Sequence, residues 1–232
     1  MLSKVVISLA ACIAAFPVMT LAHERGFFAG IDTTVGIAQG SSSTKNGGGF
    51  GGGGVANDVK FGNTVGIGAH VGYQFDHALS ALISYQHTQG DVDWRVDFPT
   101  QATNISGTAT SNAILLNLAY DWHASDDTII RATAGAGPTF NTLSKMTETQ
   151  EGEFLSNPEK HTMVSPMVQL GASIQHYLSP RAVLSLNATV AYTGGFRTGD
   201  TRTGNLGRTN INPYKIDDVW RAGLGVSMQV RF

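Results

Sequence analysis

The sequence is poor in charge: only 14% of its 232 residues are Asp, Glu, Lys or Arg, whereas ordinary soluble domains carry roughly 25%. Its one cysteine, Cys12, lies in an N-terminal segment that we expect to be removed, so the mature chain should hold neither a disulfide nor a cysteine metal site. No run of about 18 apolar residues follows that segment, which excludes an ordinary membrane-spanning helix. The formal net charge of −2 argues against a general nucleic-acid binder. We expect no cofactor and no metal.

Glycine, by contrast, is abundant, with 28 residues, and the mean hydropathy is −0.01. A glycine-rich chain with little charge and no spanning helix fits either a transmembrane β-barrel or a β-sandwich.

The N-terminus is typical of a secretory signal peptide covering residues 1–22. Lys4 supplies the positive charge, residues 5–15 the apolar core, Pro17 a breaker, and residues 20–22 a small-residue cleavage site. A lipoprotein cleavage box at residues 9–12 is a rival interpretation, but the residues after it stay apolar where a lipoprotein usually becomes polar. Residues 23–232 then form one domain.

The last thirteen residues, Trp220–Phe232, alternate strictly between apolar and polar side chains, which predicts a β-strand with one apolar face. Seven earlier segments show the same period of two: 27–37, 65–75, 79–86, 114–122, 130–137, 168–175 and 184–192. An even count of eight strands favours an up-and-down antiparallel barrel.

The connections between these strands are unequal in length. Three are short turns, around Asp76-His77 and at 123–127 and 178–181, whereas four are about 25 residues or longer, at 39–63, 88–112, 138–166 and 194–218. Short turns at one end and long loops at the other are typical of outer-membrane barrels, with periplasmic turns and extracellular loops.

The two faces of the strands separate a membrane barrel from a soluble ligand carrier. The apolar face holds no charged residue, and its aromatic residues fall at the two ends of the strands, as in the girdles of a membrane barrel. The other face is mainly Gly, Ser, Thr, Asn and Gln, which is too small and polar for a dry ligand cavity. The apolar face should therefore meet lipid.

The chain resembles the small eight-stranded outer-membrane barrels, namely OmpA-like transmembrane domains and the OmpX-type and opacity-type, porin-like proteins. The resemblance rests on the motifs GFFAGI at 26–31, VGIGAHVGYQF at 65–75 and the VSMQVRF ending. It implies insertion by the outer-membrane assembly machinery of a Gram-negative bacterium, with Phe232 as the assembly signal. It also implies a structural, adhesive or host-interacting surface role, with lipopolysaccharide and host surface molecules as partners. We expect a monomer.

The second long connection alternates again, with Val92, Trp94, Val96 and Phe98 apolar. We predict a hairpin that continues beyond the membrane, with a phase shift near Gly90. Its apolar stripe either packs on neighbouring loops or forms a recognition surface that includes Trp94, Arg95 and Phe98.

The third connection is acidic, whereas the fourth is basic and carries Arg197, Arg202 and Arg208. The two connections either attract each other, or the arginines bind lipopolysaccharide phosphates, which suit the geometry of the guanidinium group.

Four charged residues fall on the face that should line the barrel: Asp32, His70, Arg131 and Arg221. Because buried charges need partners, we expect a structural polar network. A proton-sensitive gate at His70 is the alternative function for these residues.

The sequence therefore predicts a non-enzymatic outer-membrane surface barrel without a general-porin channel. A narrow pore is one alternative. The other is a lipid A-modifying hydrolase that uses His87, His161 and Ser165 near the outer rim, although their spacing matches no nucleophile motif.

Overall fold

The structure is a computed structural model that describes residues 25–42, 55–97, 102–205 and 207–232. The expected signal peptide at 1–22, Cys12 and Phe98 lie outside these ranges. Twelve strands occupy the described part: β1 (Gly26–Ser41), β2 (Val55–Gln74), β3 (Leu79–Asp97), β4 (Ala102–Ser125), β5 (Thr128–Gln150), β6 (Glu153–Pro158), β7 (His161–Tyr177), β8 (Ala182–Tyr192), β9 (Phe196–Arg197), β10 (Thr201–Gly204), β11 (Gly207–Asn210) and β12 (Lys215–Arg231). Across the described ranges, no helix has the length and apolar character needed to cross a membrane.

Eight of these strands form the barrel. They pair in the order β1-β2-β3-β4-β5-β7-β8-β12, every pair is antiparallel, and β12 closes the ring on β1. Closure removes the unpaired sheet edges that a membrane does not tolerate. The prediction of an eight-stranded up-and-down barrel is confirmed.

The strands run much further than the alternating segments predict. β4 has 24 residues and β5 has 23, so much of the two connections beside them is ladder-paired strand. The three small strands β6, β10 and β11 add a further sheet on the upper edge of β5. Backbone pairing continues above the membrane along β3, β4 and β5, because each of these strands still has a paired neighbour there.

The lower part of the barrel has an apolar exterior. Its outward side chains include Leu116, which is 64% exposed, and Leu170, which is 62% exposed. Aromatic pairs lie at both ends of this belt. Phe27 and Tyr73 meet at the lower end with ring centroids 4.9 Å apart, and Tyr192 and Trp220 meet at the upper end at 5.4 Å.

The upper part of the barrel has the opposite polarity. On β3, Val92, Trp94 and Val96 point into the barrel and are at most 2% exposed. The predicted phase shift near Gly90 occurs in the apolar pattern and not in the β3–β4 backbone, whose register runs unbroken from Leu79 opposite Tyr120 to Asp97 opposite Ala102. The strand keeps its alternation, and the apolar residues move from its outward positions to its inward positions.

The strands β2, β5 and β12 also turn apolar residues inward in the upper part of the barrel, and each does so at an irregularity in the backbone pairing. The β2–β3 register shifts between Phe61 and Thr64, and Phe61 packs against the upper core. On β5 and β12, Lys145 and Asp218 have φ of 53° and lie where the register with the neighbouring strand shifts. Such bulges reverse the face to which later side chains point.

Candidate functional site: a polar chamber beneath an apolar core

A chamber of about 150 Å³ occupies the middle of the barrel. Small and polar side chains line it, including those of Thr34, Gln86, Asn117, Gln169 and Thr189. Several lining positions are glycines, so the strands bring little volume into the interior. The small-residue face read from the sequence therefore surrounds an internal space.

A buried ion pair lies on the floor of the chamber. Arg131 donates from Nε to Asp121 Oδ1 at 2.6 Å and from Nη2 to Asp121 Oδ2 at 2.8 Å. Gln74 also accepts from this guanidinium at 3.3 Å, and the ring of Phe28 lies 5.6 Å away. This bidentate geometry holds both charges with satisfied partners. Asp121 falls on the polar face of the alternating segment 114–122, but nothing in the sequence marks it as the partner of Arg131.

Asp32 and His70 form a second pair, with Oδ2 and Nδ1 3.1 Å apart. The register places His70 opposite Gly30, and a Cβ at Gly30 would lie 2.5 Å from the imidazole Nε2. The glycine therefore lets the imidazole lie across β1 toward Asp32. The sequence alone indicated that these two residues lie on adjacent strands.

Arg221 lies at the top of the chamber and away from both pairs. Its Nη2 donates to Met167 Sδ at 3.9 Å, and within the described ranges no carboxylate forms an ion pair with it. Arg221, Thr64 and Thr88 line both the chamber and a smaller cavity of about 20 Å³ above it. The four interior residues named from the sequence therefore do not form one connected network.

An apolar core closes the barrel above these cavities. Its buried members are Val92, Trp94, Val96, Ile105, Ala109, Leu143, Met146, Phe196, Tyr214, Ile216 and Val219. Trp94 is 2% exposed and meets the ring of Tyr214 edge-on at 6.4 Å. The interpretation of Trp94 as part of an exposed recognition surface is therefore wrong, because its side chain points inward. Arg95 does face outward and contacts Asp97 at 2.6 Å.

Glu148 is the polar centre of this apolar core. It is 0% exposed and accepts hydrogen bonds from Thr103 at 3.2 Å, Ser156 at 2.7 Å and Tyr214 at 3.3 Å. Arg202 adds an ion pair at 2.6 Å. Sequence reasoning treated Glu148 as one acid of an acidic loop, since only the tertiary fold shows that the bulge at Lys145 turns it inward.

The other two arginines of the fourth connection lie on the outside. Arg208 approaches Glu159 at 3.4 Å, with both side chains at least half exposed. Arg197 donates from Nε to His161 Nε2 at 2.8 Å on an exposed surface. The acidic and basic connections thus contact each other at Arg202 and Arg208, while Arg197 pairs with a histidine.

The residues of the hydrolase alternative do not converge. His87 faces outward on β3 and contacts Asn112 at 2.9 Å, whereas Ser165 faces inward on β7. His161 accepts the hydrogen bond from Arg197. Among the described residues, no group of three His, Cys, Asp or Glu side chains has the geometry of a metal site.

Phe232 lies at the lower end of the barrel wall. Its side chain is 55% exposed, and its backbone N–H donates to the carbonyl of Phe27 at 2.9 Å. The terminal residue is thus joined to the first strand where the barrel closes.

A closed antiparallel ring with an apolar outer belt defines a small eight-stranded transmembrane β-barrel of the outer-membrane type. The chain belongs to the autotransporter β-domain family, whose model matches residues 22–231. Two solved structures share the fold. OprG from Pseudomonas aeruginosa is 13% identical with a TM-score of 0.58, over 90% of this chain and 97% of that chain. Neisserial surface protein A is 12% identical with a TM-score of 0.50, over 89% and 97%. Among curated proteins, no sequence matches significantly.

Proposed function

We propose that this protein is a non-enzymatic surface protein of the outer membrane, in which the barrel is a rigid anchor for an extracellular platform. The observation that carries the proposal is the apolar core above the chamber, because residues such as Val92, Ile105 and Tyr214 are 0% exposed in the barrel interior. A path for solutes would have to pass through this packed layer. Because the apolar core is packed like a protein interior, the barrel is better suited to supporting a surface than to conducting solutes.

Planar-bilayer recording of the refolded barrel tests the closed interior. We expect no large, steady conductance from the wild type. A variant with Trp94→Ala and Phe196→Ala, which removes two large side chains from the core, is the matched comparison and should leak more often. A steady wild-type conductance of porin size would contradict the proposal and favour the narrow-pore alternative.

The exposed arginines support lipopolysaccharide as a partner. Arg197 and Arg208 lie on the outer surface, and guanidinium groups bind phosphate in a bidentate manner. Arg202 is less suited because Glu148 already holds it at 2.6 Å.

Flotation of the refolded protein with lipopolysaccharide vesicles tests this partner. Arg197→Gln with Arg208→Gln should reduce binding and weaken its salt dependence, whereas Arg95→Gln, an exposed arginine on β3, should not. Equal losses from both sets would indicate a general charge effect and contradict the assigned surface. Host surface molecules are tested with the same variants on immobilised host glycans.

Export and assembly are part of the same proposal. We infer that residues 1–22 are removed, so N-terminal sequencing of the mature protein should begin at His23. Phe232→Ala should lower the amount of folded barrel in outer membranes, as measured by heat-modifiable gel migration, whereas Phe75→Ala at the same lower rim should not. Equal loss in both variants would count against an assembly signal at Phe232.

A further inference from the structure

We propose that the barrel interior binds a small inorganic anion at Arg221, between the polar chamber and the apolar core. The site consists of the Arg221 guanidinium with the hydroxyl groups of Thr64 and Thr88, the three residues that line both cavities through polar side chains. This inference is independent of the surface role proposed above.

The inference rests on which charged side chains inside the barrel have a partner of opposite charge. Arg131 is matched by Asp121 at 2.6 Å, and Asp32 is adjacent to His70 at 3.1 Å. In the described part of the chain, Arg221 has only the sulfur of Met167 as a polar partner. A guanidinium stays protonated at all ordinary pH values, so its interior charge requires compensation.

Asp32 is too distant to compensate Arg221 directly. The register places Asp32 opposite Ser227, six residues from Arg221 along β12, which is about 20 Å at roughly 3.3 Å per residue. A small anion in the intervening chamber would provide the missing negative charge.

The lining near Arg221 suits an anion. Besides Thr64 and Thr88, the chamber walls carry Gln169 and Thr189, whose amide and hydroxyl groups donate hydrogen bonds. A volume of about 150 Å³ accommodates phosphate or a halide but not a large organic anion. Gly171 also lines the chamber, and a Cβ there would meet its nearest atoms at an ordinary contact distance of 3.5 Å, so a larger side chain can be introduced at this position.

Thermal unfolding of the refolded barrel in detergent tests the site. Sodium phosphate replaces sodium lactobionate, an anion too large for the chamber, at constant ionic strength. We expect a saturable rise of the melting temperature by about 2–4 °C for the wild type. Arg221→Met, which conserves packing beside Met167, and Gly171→Leu, which fills the chamber but keeps the guanidinium, should each abolish the rise.

Arg208→Met, which removes an exposed arginine, should retain the response. No response in the wild type, or a full response in Arg221→Met, would overturn the proposal. Crystals grown in bromide provide a direct readout that does not depend on the stability of any variant. An anomalous peak beside the Arg221 guanidinium is expected, and peaks confined to the outer surface would also overturn it.

Discussion

The lower and upper halves of this barrel have opposite interiors. Below the aromatic pair of Tyr192 and Trp220, the inside is mainly polar and contains the chamber, although it also buries Phe28 and Ile129, while the outside is apolar. Above it, the inside holds Trp94 and Tyr214 in an apolar core, while outward residues such as Asn104 are exposed and polar. One continuous sheet therefore includes a membrane-type half and a half organised like a soluble protein.

This difference shows that the medium around the barrel, lipid or water, determines which side chains the strands turn inward. Lipid accepts apolar side chains and leaves polar groups to pair inside the lower half. Water above the membrane favours the reverse arrangement, because burial of apolar area is then the main stabilising contribution. The bulges at Lys145 and Asp218 mark the level at which two strands change from one regime to the other.

Breaking the ion pair of the lower half should have the largest effect. Arg131→Met leaves Asp121 buried without its partner, and loss of one member of a buried pair costs about 3–5 kcal/mol in unfolding free energy. The double variant with Asp121→Leu should recover most of this loss. Urea unfolding in lipid vesicles measures both, with Arg208→Met as the exposed control. A single variant no less stable than this control would contradict the structural role of the pair.

A charge placed on the same outward face of β4 should separate the two halves. Leu116→Arg, within the lipid belt, should destabilise the barrel by about 2–4 kcal/mol. Asn104→Arg, twelve positions earlier on the same strand and the same face, should change stability by less than about 0.5 kcal/mol. Refolding yield and urea midpoints test this contrast. Similar costs at both positions would place Asn104 inside the membrane and abolish the proposed boundary.

Removing the charge of Glu148 should loosen the upper half only. Glu148→Gln weakens the ion pair with Arg202 and the hydrogen bonds around it, at a cost of about 1–3 kcal/mol. Hydrogen exchange should accelerate in the upper parts of β4 and β5 but not around Arg131. The exposed Glu153→Gln is the matched control. Faster exchange throughout the barrel would show that the two halves do not respond separately.

The turn at the lower rim should give the smallest effect. Backbone N–H groups of Ala78 and Leu79 donate to Asp76 Oδ1 at 2.8 and 2.7 Å and lower the pKa of this carboxyl. Because the folded pKa is depressed, its contribution is present at neutral pH and is lost as pH falls through that pKa. Asp76→Ala should therefore lower the unfolding midpoint slightly at pH 7, and the difference should disappear at an acidic pH below the depressed pKa of this carboxyl. An unchanged difference at both pH values would contradict this assignment.

Much of the lower half could be predicted from the sequence. A period of two marks a strand directly, and the unequal connection lengths indicate which end faces which side, so the eight strands could be counted without the structure. The partners inside the barrel could not be predicted in the same way. Arg131 lies ten positions from Asp121, and only the register shows that the two face each other.

The upper half shows where the sequence alone was insufficient. The apolar alternation around Trp94 correctly predicted a hairpin that extends beyond the membrane. A period of two does not, however, reveal which face of the strand points inward. Likewise, Glu148 looks like an ordinary loop acid until the bulge at Lys145 turns it toward Tyr214.

The sequence by itself therefore determined the eight barrel strands within the membrane and the apolar belt, because alternation and turn spacing are local properties of the chain. Only the tertiary structure decided that the barrel is closed above by an apolar core, that Arg131 and Glu148 have partners, and that Arg221 forms no ion pair with a carboxylate of the described residues. Those features depend on register, bulges and ring closure. They place residues far apart in the chain within a few ångströms, and no local pattern encodes that proximity.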